Sequence, residues 1–193
     1  MTELTVLTPP EGPAVSLDEV KAYLRIGHEG EDSFLEQLIE RATDRLEQAS
    51  GLALMSQTLR VCWQAWPEGI EGRGAYLPVG PVRQLDSVLV CQPEQDPVNV
   101  TANFWLNCGR LSLRAWSQKP PLSPNQTVSI TFIAGYAGAC TQGAQCEVPA
   151  DLIQALLTLC GAHYQTRGQA GSKPQELPAS VVSILKARRG MRL

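Results

Sequence analysis

The spacing of apolar residues along this chain changes twice, from a helical repeat of about 3.6 to a strand repeat of about 2 and back again, and that order limits the architectures open to it. Ser16-Leu-Asp-Glu19 has the form of a capping box, a serine oxygen facing the third helical N–H and a glutamate reaching back to the cap. Leu17, Val20 and Leu24 then make one stripe on a short helix ending near Ile26-Gly27. A longer helix follows, capped by Asp32 or Ser33. Phe34, Leu38, Ala42 and Leu46 recur at i+4 with Leu35 and Ile39 beside them, and Gly51 stands where a left-handed C-cap belongs. The opposite face is Glu36, Glu40, Arg41, Asp44, Arg45 and Glu47.

From about residue 55 to 136 the period approaches 2, with Pro, Gly and Asn breaking it at short intervals, as in antiparallel β structure. Strands are expected over residues 58–66, 75–79, 82–91, 104–107, 110–113 and 127–134. Residues 2–15, with three prolines, are expected as an extended arm before regular structure begins. A third helix opens at Pro149 and carries Leu152, Leu156, Leu159 and His163 on its stripe to about Arg167-Gly168. Residues 168–176 read as a mobile linker, and a last short helix over residues 178–187 carries Val181, Val182 and Leu185. The order defines an α+β chain: a small helical bundle of two N-terminal helices and a late helix, an inserted antiparallel β region, and an extended C-terminal helical tail. Residues 1–168 form the expected domain and 169–193 the linker and tail.

Composition narrows the function. Of 193 residues, 44% are hydrophobic and 18% charged, which suits a folded chain rather than a disordered one. The apolar stretches fall short of the ~20 residues a membrane span needs. The opening Met1-Thr-Glu-Leu-Thr has neither a basic nor an apolar leader region, so a cytoplasmic working compartment is expected and the six cysteines should be mostly thiols. Charge is unevenly placed. Residues 1–50 hold eleven acids against four bases, and residues 163–193 six bases against one acid, a polarity suited to head-to-tail packing of identical subunits or to a basic tail docking on an acidic partner.

Catalytic signatures are absent. There is no Gly-x-Ser-x-Gly elbow, Walker loop, Gly-x-Gly-x-x-Gly after a strand, or His-Glu-x-x-His. His28 lies in a turn. Cys140, Cys146, Cys160 and His163 are the one metal-like constellation; Cys160 and His163 are i, i+3 on a helix, but the Cys140-x5-Cys146 spacing lacks a zinc knuckle. A small zinc- or thiol-dependent enzyme using these four residues is the alternative to a structural role. Glu36, Glu40 and Asp44, interleaved with Arg41 and Arg45, read as a salt-bridge-laced surface rather than paired catalytic carboxylates. Nucleic-acid binding has little support, since the net charge is -3 and the basic tail has no neighbouring aromatics.

Ser16-Leu-Asp-Glu-Val-Lys-Ala-Tyr-Leu-Arg-Ile26, then residues 31–42, and then Leu46-Glu-Gln-Ala-Ser-Gly51 with Gln57 and Trp63 resemble the opening of the phage head-tail connector, or adaptor, family, which includes adaptors of gene transfer agents. Ile130-Thr-Phe-Ile-Ala-Gly-Tyr136 is similar to that family's strand ending in Gly-Tyr, and Val148-Pro-Ala-Asp-Leu-Ile-Gln-Ala-Leu156 to the helix after it. The resemblance implies a non-enzymatic virion protein without cofactor or metal, made in the bacterial cytoplasm and placed at the head-tail interface. It implies a ring of roughly twelve copies beneath the portal protein, with a stopper or tail-completion protein on the other side. DNA would pass through without sequence-specific binding, and no membrane would be involved. Carried onto this chain, the portal-binding residues would be Val181, Val182, Leu185, Arg188, Arg189 and Arg192. Glu36, Glu40, Asp44 and Glu47 would face the channel or a neighbouring subunit.

Overall fold

In the computed structural model residues 2–93, 95–107, 109–136, 148–167 and 176–188 are described. The β region forms two antiparallel sheets. β1 (Thr2–Thr8), β2 (Gln57–Trp63), β4 (Val82–Gln92), β5 (Gln95–Asn99) and β8 (Thr127–Ala134) make a five-stranded sheet in the order β1-β2-β8-β4-β5, and β3 (Ala75–Tyr76), β6 (Phe104–Asn107) and β7 (Arg110–Leu113) make a three-stranded one in the order β3-β7-β6. The arm differs from its expectation. Its first seven residues, Thr-Glu-Leu-Thr-Val-Leu-Thr, are rich in strand formers and pair antiparallel with β2 until Pro9 and Pro10 end the ladder. β5 was not legible in the sequence because it is wholly exposed and carries Asp96 and Pro97, the chemistry of an edge strand that discourages further pairing.

One face of the large sheet is apolar. Leu59, Val61 and Trp63 in β2 stand beside Phe132, Ile130 and Val128 in β8, and the small sheet adds Phe104 and Leu111 to the same buried cluster. At roughly 1.5–3 kcal/mol for each large side chain, this cluster is the main term holding the two sheets together.

The helices build a second cluster. α1 (Leu17–Leu24) opens on the expected capping box: Glu19 N–H donates to Ser16 Oγ at 3.2 Å and Ser16 N–H to Glu19 Oε2 at 2.7 Å. It stops at Arg25, in the left-handed region at φ 58°, where the backbone N–H groups of Arg25 and Ile26 return to Ala22 and Lys21. α2 (Asp32–Ser50) ends at Gly51 with φ 69°, as the sequence indicates. Its N-cap is Glu31 rather than Asp32 or Ser33, and the reason is tertiary. Glu31 accepts from Tyr164 Oη at 2.7 Å and pairs with Arg167 at 2.8 Å, while Asp32 pairs with Lys21 at 2.7 Å. α3 (Ala150–Gln165) follows Pro149 and buries Leu152, Leu156 and Leu159.

α4 (Ala179–Arg188) is packed rather than extended. Val181 and Leu185 belong to the same buried cluster as α2 and α3. The helical and sheet clusters meet through residues 51–56 and 134–136. Ala53 N–H donates to Gly80 O at 2.7 Å, Gly135 N–H to Pro81 O at 3.0 Å and Tyr136 N–H to Leu54 O at 3.1 Å, tying the end of α2 to the β4 and β8 side.

Candidate functional site

The acidic face of α2 forms one wall of a groove. The opposite wall is the turn through Pro9, Pro10, Pro13 and Ala14, Val6 and Met55 contribute apolar surface, and the volume is about 780 Å3. The i, i+4 spacing places Glu36, Glu40 and Asp44 together, beside a stripe that buries Leu35, Leu38, Ile39 and Ala42. All three carboxylates are exposed at the rim, so the sequence correctly groups them, though opposite a proline-rich wall it did not foresee.

Glu47 sits differently. It is half-buried, and its Oε1 accepts from Leu54 N–H at 2.7 Å, bridging the last turn of α2 to the segment entering the sheet. Burial raises its carboxyl above the ordinary 4.5, opposed by the Leu54 hydrogen bond and assisted by the charge of Asp44. As pH climbs past 4.5 the unfolded chain ionises before the folded one, so this group's contribution to stability declines from there until the folded carboxyl also ionises. Glu47→Gln keeps an acceptor for Leu54 and removes the charge, and its urea midpoint at neutral pH should equal or exceed that of the parent. Glu47→Ala leaves the Leu54 N–H without its acceptor and should lose about 1–3 kcal/mol.

The six tail residues divide. Val181 is 0% exposed and Leu185 5%, so their apolar surface is taken up by the chain's own helices; Val182 is half-buried. Arg188 grips Asp151 at the start of α3 through two hydrogen bonds of 2.7 and 2.6 Å. That guanidinium holds the Asp151 carboxyl below its ordinary 3.8, so the pair contributes stability above that value and loses it as pH falls through the lowered one. Arg189 and Arg192 lie outside the described residues.

The cysteine and histidine constellation does not assemble as a reactive site within the described residues. Cys140 and Cys146 fall outside them. Cys160 is fully buried in the helical cluster, and burial pushes its thiol up to about 12, the opposite of what a nucleophile or metal thiolate requires. His163 is half-buried, held below its ordinary value first by burial and then by Arg45 and Arg41, and two nearby cations disfavour a metal ion there as well. Among the described residues no group of three or more His, Cys, Asp or Glu side chains could hold a metal.

Two features escaped sequence reasoning. The Glu31, Tyr164 and Arg167 clasp joins residues more than 130 positions apart, and the Arg167 guanidinium also lies 4.0 Å from the Tyr164 ring centroid. No local pattern signals such a pairing. The four tryptophans, all in the β region, separate into buried Trp63, Trp66 stacked on Phe104 at 5.0 Å, Trp105 at 43% exposure and Trp116 at 98%.

An α+β fold with an acid-rimmed apolar groove and an exposed indole falls in the class of chains whose visible features, among the described residues, are surfaces rather than a reactive cluster. Comparison with known proteins gives that class a more definite form. Residues 14–82 match the family model described as phage gp6-like head-tail connector protein. No curated protein matches the chain in sequence. A chain in a solved structure described as the neck of an empty GTA particle computed with C6 symmetry is 25% identical, with a TM-score of 0.75, over 99% of this chain and 97% of that one. One in the virion of a native gene transfer agent (GTA) particle is also 25% identical, with a TM-score of 0.76, over 98% and 96%. A third, from the neck of a native GTA particle computed with C12 symmetry, shares the fold at 22% identity and a TM-score of 0.75, over 99% and 97%. Together these likenesses support a structural head-tail connector role. Among the described residues no helix is long and apolar enough to cross a membrane.

Proposed function

We propose that this chain is the adaptor subunit of the neck of a tailed phage or gene transfer agent, a non-enzymatic protein forming a ring of roughly twelve copies under the portal and linking the DNA-filled head to the tail. The observation that carries this reading is the match of nearly the whole fold to chains of GTA particle necks, in agreement with the connector-family match over residues 14–82. Its partners are the portal protein, a stopper or tail-completion protein, and further copies of itself. DNA traverses the channel without sequence-specific contact, and the acidic face of Glu36, Glu40, Asp44 and Glu47 turns toward that channel or toward a neighbouring subunit. Subunits are made in the bacterial cytoplasm and end at the head-tail interface of the particle. Residues 1–168 together with α4, which packs on α2 and α3, make the adaptor domain. Within the tail, Val181 and Leu185 fix α4 in place, while Val182 offers the portal an apolar contact and Arg189 and Arg192 pair with its acidic groups.

Co-sedimentation with the portal ring encoded beside this chain tests the reading. The full chain should pellet with the portal, and a chain ending at Arg188 should bind more weakly and lose much of the salt dependence of binding. Failure of the full chain to pellet well above micromolar concentration would sink the adaptor assignment.

A further inference from the structure

The apolar face of the large sheet runs out uncovered at β1. Leu4 and Val6 stand directly opposite Val61 and Leu59, and the same rows continue to Ile130 and Phe132. Those four neighbours are at most 2% exposed, whereas Leu4 is 44% and Val6 51% exposed. Val6 opens into the groove beside α2, whose rim is negative. Among the described residues none of Glu36, Glu40 and Asp44 has an ion-pair partner. The groove therefore offers apolar contact within and negative charge at its edge.

A matching surface lies at the other end of the strands. β2 and β8 run from the Gln57 and Ala134 end, where the groove is, to the Trp63 and Val128 end, where the loop after β7 joins β8. The six steps from Gln57 to Trp63 separate those ends by about 20 Å. That loop is tied down at its own end by Trp66 Nε1 donating to Pro120 O at 2.8 Å and by Arg114 N–H donating to Asn103 O at 2.8 Å. Between the two ties Trp116 stands 98% exposed with exposed Arg114 beside it. Tryptophan and arginine are among the side chains that most often anchor protein interfaces, and an indole this open makes almost no contact within its own chain.

We infer that the groove between residues 9–14 and α2 receives Trp116 and Arg114 of a second copy of this chain, the indole against Val6 and the prolines, the guanidinium at Glu36 and Glu40. The two patches differ and lie at opposite ends of the sheet, so the contact is heterologous, the kind that closes into a ring when the rotation permits. The inference rests on the ring reading above and names the contact between its subunits. The basic tail is the competing occupant, but its charge has no aromatic to fill the apolar part of the groove.

The test replaces Trp116 with photoreactive benzoylphenylalanine in the full chain, mixes isotopically light and heavy protein, and irradiates it alone at high concentration and with the portal ring. Intermolecular cross-links into residues 6–14 and 36–47 are expected. Cross-links to the portal, to another region of this chain, or none at all would overturn the inference, as would carbodiimide cross-links joining Lys186 to Glu36 or Glu40 of another copy. Trp116→Ala should weaken self-association roughly thirtyfold with an unchanged melting temperature. Arg114→Glu should weaken it too, and Glu40→Arg in the partner should restore it. Portal pelleting without the cross-link removes this contact and leaves the adaptor role standing; loss of pelleting removes the adaptor role itself.

Discussion

Gly135→Ala is expected to lower the melting temperature by roughly 10 °C or more, the largest effect of adding a methyl at any glycine among the described residues. Gly135 has φ 131°, outside what an L side chain adopts comfortably, and a Cβ there would lie 2.2 Å from Met55 O, 2.5 Å from Met55 C and 2.7 Å from Ser56 Cα. All three are backbone atoms, which no rotamer change can move aside. Relief would require displacing residues 55–56, just where the end of α2 is stitched to β4 and β8 by the Gly135 and Tyr136 N–H groups. The strain and the broken junction together should amount to about 3–5 kcal/mol, a large share of the 5–15 kcal/mol that holds a typical domain folded. Gly109→Ala is the control. Gly109 also has positive φ, at 76°, but its Cβ would meet nothing within 4 Å, so only the backbone preference is lost, about 1–2 kcal/mol. Equal melting temperatures for Gly135→Ala and the parent would refute the steric account of the junction.

That junction also marks how far the sequence could be read. The helices, the central strands and their α+β order were legible because periodicity and capping are local: Ser16 to Glu19 caps α1, Gly51 closes α2, and β6, β7 and β8 begin and end where the alternation does. β1 escaped because its pairing with β2 spans some fifty residues, and β5 because an edge strand with Pro97 lacks the apolar alternation that announces buried strands. Glu31 and Asp32 show the same limit at helix ends, where their carboxylates serve distant cations and a distant hydroxyl rather than the local backbone. At the candidate site, Glu36, Glu40 and Asp44 could be grouped from their spacing. The turn opposite them could not, since a proline-rich stretch carries no information about which surface it covers. Cys160 illustrates the converse: residue type suggested chemistry, and only its burial removes it.

Ending the chain at Glu176 should unfold or grossly destabilise the helical half, whereas ending it at Arg188 should leave the melting temperature near that of the full chain. The difference follows from α4. Val181 and Leu185 are buried with residues of α2 and α3, and each contributes roughly 1.5–3 kcal/mol by leaving water. The Arg188 to Asp151 pair adds at most about 1 kcal/mol, because both side chains are more than a third exposed and solvent screens them. Removing α4 also uncovers the faces of α2 and α3 that it covers, so the loss approaches the whole stability of a typical domain. A binding defect in the shorter chain would then report unfolding and say nothing of where the portal is held. Val181→Asp, which buries an unpaired charge in an otherwise intact chain, should reproduce the destabilisation without deleting a single basic residue. If instead the chain ending at Glu176 melts with the parent and Val181→Asp is silent, α4 is dispensable to the core, and Val181 and Leu185 become available to a partner after all.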